Sequence, residues 1–288
     1  MRKTNLLMLG VLCLSLNGCF FFKPATDDGG TVIYGRDDRL DWYQIAEWRV
    51  RRNAEAVASA WNVTDLLKNR DGMYTLRTLG YGWAYNLVEN ERFRDQQIGA
   101  HCTGFLVGED LLVTAGHCIN RVNYKDKRFV FGYRMVSKTE PKVFRVHEKD
   151  VYKAKELVAW SLSPTGGDYA VVRLDRKVEG VKPLEIRDSR LRKGDSVYVL
   201  GHPVGLPLKY APNAKVTQDV FAEYFKASLD TYGGNSGSPV FDKDHKVVGI
   251  LVRGETDFEE LPSGKRRSAK GKFGESVTRA TIWSKFTR

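Results

Sequence analysis

The sequence predicts an all-β fold, a barrel or sandwich of short strands. Three observations predict it. After residue 100 the chain breaks into short apolar runs punctuated by Gly, Pro and Asp. Stretches with helical period are few. The 288 residues are 42% hydrophobic and 28% charged, enough to bury a large core and too apolar for disorder.

The chain opens with Arg2 and Lys3 and then an apolar run from Leu6 to Leu16, broken only by Gly10 and Ser15. Eleven residues in a helix span about 16 Å, half a bilayer core, so the run reads as a signal-peptide core rather than a membrane span. It ends in Leu16-Asn17-Gly18-Cys19, which resembles a bacterial lipobox, whose cysteine is lipidated and becomes the new N-terminus. Asn17 is an unusual third member of that pattern, and an ordinary cleaved signal is the plainer alternative. Phe20 after the cysteine, in place of Asp, favours the outer membrane over the inner. Residues 19–38 then form a tether, with the polar, Gly/Pro-bearing Lys23–Thr31 at its centre.

From residue 39 to 288 a single domain is expected, dividing near residue 180. Residues 39–60 carry Trp42, Ile45, Trp48, Val50, Ala54 and Val57 at loosely amphipathic spacing, which predicts helix leading into strand. Strand-like runs follow at Thr103–Val107, Leu111–Thr114, Arg128–Val136, Tyr169–Leu174, Ser196–Leu200, Ala214–Val220, Pro239–Phe241 and Val247–Val252. Ser276–Phe286 is expected to form a short C-terminal helix.

Three segments carry chemistry. His117 follows a strand in the tight turn Leu112-Val-Thr-Ala-Gly-His-Cys118. Asp168 opens a buried-looking strand after Gly166-Gly167. Ser236 sits in the glycine-rich bend Gly233-Gly-Asn-Ser-Gly-Ser-Pro239. A lone histidine or a Gly-Gly-Asp turn is usually structural. His, Asp and Ser in that order, each in such a setting, form a nucleophilic constellation. A serine hydroxyl needs a base within reach, an imidazole can take and return the proton, and a buried carboxylate can hold the imidazole tautomer. The Gly234 and Ser236 N–H groups fit an oxyanion hole.

These residues resemble the trypsin-like (chymotrypsin-fold) serine peptidases, and within them the bacterial branch with the glutamyl endopeptidases. The resemblance covers residues 54–288, and Val32-Ile33 looks like the mature start of some glutamyl endopeptidases. It implies two perpendicular six-stranded antiparallel β-barrels with the active site between them, and a Cys102–Cys118 disulfide beside the histidine. It calls for a protein or peptide substrate, a monomer, no cofactor, no metal and no nucleic acid. Asn235 stands where trypsin places an aspartate that pairs with a freed N-terminal amine, so no trypsin-type zymogen switch is expected. Cleavage after Thr31 would release the domain from its anchor.

Primary specificity is read from Asp230, Thr231 and Leu251-Val252-Arg253-Gly254. Thr231 matches the glutamyl branch, but Leu251 replaces the histidine that would meet a substrate carboxylate. Asp230 sits where trypsin-like enzymes place the pocket-floor acid, which favours cleavage after Arg or Lys. The alternative is that Asp230 turns away and ties down a neighbouring loop. Arg253 is expected at an outer subsite. His101, His147, His202 and His245 lack such context and read as solvated or core residues.

Lys plus Arg total 46 against 35 acids, a net charge of +11; removing residues 1–18 lowers it by two, to +9. Such a surface favours anionic partners such as phospholipid head groups. The basic run Lys265–Lys272 is an ordinary solvated loop on the simplest reading, and a contact for anionic lipid or acidic substrate on the other. Two further functions compete with an envelope serine endopeptidase. One is a catalytically inactive trypsin-fold binding lipoprotein, against which the complete constellation argues. The other is a structural lipoprotein that binds phospholipid or cell-wall polymer.

Overall fold

The computed structural model describes residues 33–139, 143–163, 167–187 and 189–287. The expected signal peptide and Cys19 lie outside these residues. Two closed six-stranded antiparallel barrels make up the fold. The first contains β1 (Val57–Asn62), β2 (Cys102–Leu106), β3 (Leu111–Thr114), β4 (Lys127–Phe131), β5 (Val151–Leu162) and β6 (Asp168–Leu174), closing in the order β5-β6-β3-β2-β1-β4. The second contains β7 (Ser196–Gly201), β8 (Lys209–Gln218), β9 (Tyr224–Ala227), β10 (Pro239–Asp242), β11 (Val247–Arg253) and β12 (Glu275–Arg279), closing as β8-β7-β10-β11-β12-β9. The two-residue strand Leu40–Asp41 adds to the outside of β8. Among the described residues no helix is long and apolar enough to cross a membrane.

The expected helix-then-strand at the start is present as α1 (Trp48–Glu55) followed by β1. Three readings are corrected. The strand expected to run from Arg128 to Val136 stops at Phe131, because Tyr133 and Met135 leave the barrel for a separate apolar cluster with Trp61 and Phe144. The twelve-residue β5 was not expected: irregularities at Ala154/Glu156 and Leu157/Ala159 scramble its in–out alternation. The C-terminal helix is shorter than expected. Glu275–Arg279 pairs on both sides, with β9 and β11, and only Ala280–Trp283 is helical (α2), followed by a 3₁₀ turn at Ser284–Phe286. A β-branched pair flanked by open ladder edges gains more from pairing than from a helical turn. From α2, Trp283 reaches the first barrel and packs edge-on against Phe105, both fully buried.

Buried charge ties the N-terminal segment to the second barrel. Lys209, on β8, bonds Asp41 at 2.7 Å, Gln96 Oε1 at 2.7 Å and the Pro207 carbonyl at 2.8 Å. Arg39 is just as buried, bonded to Asp37 at 2.7 Å and lying 4.3 Å over the Tyr232 ring. Removing one partner from a buried pair strands the other charge away from water. Asp41→Ala is therefore expected to cost about 3–5 kcal/mol in urea denaturation, and adding Lys209→Met to that variant should recover most of the loss.

Candidate active site

His117 lies in a 3₁₀ turn after β3, and its position is set from three sides. Asp168, at the start of β6 and 1% exposed, binds it twice: Oδ2 lies 2.7 Å from His117 Nδ1, and Oδ1 accepts the His117 N–H at 3.1 Å. The Trp160 indole N–H donates to the carbonyls of Gly116 at 2.8 Å and Ile119 at 2.7 Å, bracketing the turn. The expected disulfide joins Cys118 to Cys102, with Cα atoms 6.1 Å apart. Cys102, His117 and Cys118 also form a three-member cluster of metal-binding residue types, but its two sulfurs are joined to each other.

Ser236 is presented by the bend between residue 229 and β10. Gly234 and Gly237 hold φ of +86° and +89°, a region that costs other residues strain. At Gly237 a Cβ would meet the Thr103 carbonyl at 2.0 Å, and at Gly234 the His202 carbonyl at 2.7 Å. Both positions thus demand glycine for space as well as conformation. The Ser236 carbonyl accepts the Thr103 N–H at 2.8 Å and lies 3.6 Å from Cys118 Sγ, one residue past His117. The bend is thereby brought beside the histidine turn.

The same contacts aim the backbone donors. The Gly233 carbonyl accepts the Val204 N–H, and the Gly233 N–H donates to Asp257. The Gly234 carbonyl accepts the Thr103 hydroxyl at 3.0 Å. With those groups engaged, the Gly234 and Ser236 N–H groups have no acceptor among the described residues. Asn235 is buried, its Oδ1 accepting the Ser238 hydroxyl at 3.3 Å. A paired acid and imidazole next to a serine with free backbone donors can perform nucleophilic acyl transfer.

The sequence profile of the trypsin-like peptidase domain matches residues 102–250, just over half of the chain. The chain belongs to that family. The match runs from Cys102 into β11 and includes His117, Asp168 and Ser236. Among solved structures, a Glu endopeptidase in complex with MPD is 18% identical, with a TM-score of 0.51, over 88% of this chain and 97% of that one. The Rv3671c protease from M. tuberculosis is 15% identical, with a TM-score of 0.47, over 82% and 81%. At these identities the likeness concerns the fold.

In this trypsin-like peptidase the residues read as a specificity pocket fall into two groups, Asp230 and Thr231 beside Tyr34 and Glu275, and residues 251–254 along and just after β11. Asp230 is 5% exposed, and its Oδ1 accepts the Tyr34 N–H at 2.7 Å from an N-terminal strap that contains Ile33 and Tyr34. Thr231 is fully buried and donates to Glu275 Oε2 at 3.2 Å. Glu275, fully buried at the start of β12, also has its Oε1 3.2 Å from the Tyr34 hydroxyl oxygen. Leu251 and Val252 are both buried because the β11 register slips between Leu251 and Arg253, while Arg253 emerges into solvent and its guanidinium reaches the Ser163 carbonyl at 3.5 Å. Gly254 follows as the chain leaves β11. Sequence reading missed Glu275, Tyr34, Thr103 and Asp257. None lies in a motif, and only the folding of four distant segments onto one bend reveals them.

The other histidines read as solvated or core residues have fixed places. His202 is buried and His101 half-buried, and desolvation lowers each to about 3, so both stay neutral. His202 lies beneath the serine bend, its Nδ1 2.9 Å from the Leu206 carbonyl. Burial acts on the acids in the opposite sense: Asp230 is pushed up to about 7, and Glu275 is also raised. A raised carboxyl pKa means the folded state holds its proton more tightly than the unfolded one. Its stability contribution is full below the unfolded value near 3.8 and is lost as pH rises through about 7. Asp230→Asn keeps an acceptor for Tyr34 without the charge. Its stability relative to the parent, followed by denaturant midpoint, is expected to improve from about pH 4 to about pH 7 and level off above. A constant offset across that range would contradict the assignment.

Proposed function

We propose that this chain is a serine endopeptidase held at the bacterial envelope by a lipid on Cys19. The observation that carries the catalytic reading is the doubly bound Asp168–His117 pair set beside Ser236. Ser236 Oγ attacks the scissile carbonyl while His117 takes its proton, giving a tetrahedral oxyanion. The Gly234 and Ser236 N–H groups receive that oxyanion; losing one such donor costs on the order of a hundredfold in rate. Collapse breaks the C–N bond, His117 protonates the leaving amine, and an acyl-enzyme ester remains on Ser236. Water, deprotonated by the same imidazole, hydrolyses the ester. Asp168 keeps the imidazole in the tautomer that can accept at its far nitrogen and stabilises the imidazolium.

Ser236→Ala and His117→Ala are expected to abolish peptide hydrolysis and fluorophosphonate labelling with unchanged circular dichroism, since such residues act as a unit. Asp168→Asn should lower kcat by about 10⁴ through the wrong tautomer. Failure of the folded parent protein to label would favour an inactive binding lipoprotein instead.

The primary pocket takes a cationic side chain. Two carboxyls there, Asp230 and Glu275, are buried without an ion-pair partner of their own among the described residues. A substrate guanidinium or ammonium would favour their ionised forms and gain charge-assisted bonds. Turnover of otherwise identical peptides with Arg, Glu or Leu before the cleaved bond should rank Arg first, and Asp230→Ser should lower kcat/KM for Arg alone. Equal Arg turnover by both proteins would defeat this specificity.

A further inference from the structure

The basic run Lys265–Lys272 is not used by the reaction, and its surroundings suggest a different role. Two of its cations are engaged: Lys265 with Glu89 at 3.0 Å, and Arg267 with Glu259. Arg266, Lys270 and Lys272 are exposed and have no ion-pair partner among the described residues. Next to them Phe273 is 66% exposed. That exposure is built in. A single carboxylate oxygen of Glu255 accepts the N–H groups of Lys272, Phe273 and Gly274 and the Tyr34 hydroxyl, which holds this segment in one conformation with the ring in solvent. A fixed aromatic ring flanked by unpaired cations is the chemistry of a membrane–water interface.

Where the chain leaves the fold supplies the second argument. Ile33 pairs in parallel with Lys270; its N–H donates to the Ala269 carbonyl, and its carbonyl accepts the Gly271 N–H at 2.9 Å. Thirteen residues separate Ile33 from Cys19. Fully stretched, thirteen residues reach about 45 Å at most. A domain of some 250 residues is itself about 45 Å across. The tether therefore keeps the Ile33–Lys270 side toward the bilayer.

We propose that the segment Lys270–Phe273, with Arg266, docks on an anionic phospholipid surface, Phe273 entering the head-group layer. The orientation argument rests on the Cys19 anchor; the charge and the exposed ring do not. The test uses the full-length protein reconstituted on vesicles of phosphatidylcholine alone or mixed with phosphatidylglycerol. A neutral amine-acylating reagent is applied and read by mass spectrometry, with Lys243, 79% exposed in the β10–β11 turn, as internal reference. Modification of Lys270 and Lys272 should fall several-fold on the anionic vesicles only, and recover at high salt. Equal modification on both vesicles overturns the docking. Protein that ignores phosphatidylcholine vesicles yet binds anionic ones, with Lys270→Glu and Lys272→Glu each weakening binding at least about fivefold, would remove the anchor and leave the docking standing. Protection by soluble polyglutamate but not by anionic vesicles would overturn the docking in favour of an acidic polypeptide.

Discussion

Everything at this site depends on how one barrel is held in register against the other, and that register is set at Thr103. On β2 of the first barrel, its N–H donates to the Ser236 carbonyl and its hydroxyl to the Gly234 carbonyl, while the same hydroxyl accepts the His202 N–H at 3.1 Å. Its own carbonyl accepts the Thr114 hydroxyl at 2.6 Å, linking β2 to the strand that delivers His117. One residue thus ties the serine bend to the histidine turn. The neighbouring Cys102 adds a covalent tie to Cys118. Because Gly237 lies flat against Thr103 and Thr114, a side chain there would push the barrels apart by more than a hydrogen bond can tolerate.

Around that joint the protein buries many ionisable groups. Lys209 with Asp41, Arg39 beside the half-buried Asp37, and the carboxyls Asp230 and Glu275, which burial pushes toward their neutral forms, lie mostly away from solvent. Such groups contribute little net stability, but each tolerates only a narrow set of partners. They locate the N-terminal strap: Asp230 receives the Tyr34 N–H and Arg39 covers Tyr232, three residues before Asn235 of the serine bend. Segments on either side of the peptidase core are therefore coupled to the serine bend by polar contacts as well as by the apolar packing of Ile33, Tyr232 and Phe258. The loop after β11 takes part as well, since Asp257 holds Gly233 and Phe258 stacks on Tyr232 with centroids 5.2 Å apart.

The three segments around His117, Asp168 and Ser236 were legible in the sequence because their chemistry is local. A tight turn needs small neighbours, a nucleophile bend needs glycine at positive φ, and both leave a mark within a few residues. The strands of the barrels were legible where a short apolar run is bounded by turn residues, as in Leu111–Thr114 and Val247–Arg253, which are buried at nearly every position. Those same rules failed for Val151–Leu162, whose irregularities shift its faces, and for Glu275–Arg279, whose strand state is decided by the neighbours on its two edges.

What the sequence determined by itself is an all-β class of short strands and the order of the constellation, while the family resemblance of its motifs supplied the two barrels and the paired cysteines. Only the tertiary structure decided the surroundings of the pocket. Asp230, Thr231, Glu275 and Tyr34 span some 240 positions of chain and meet through hydrogen bonds that no local pattern encodes. Residue-to-residue spacing reports the backbone conformation of one turn or strand. Which buried acid faces which distant donor follows from the closure of the barrels, and that closure is a property of the whole chain.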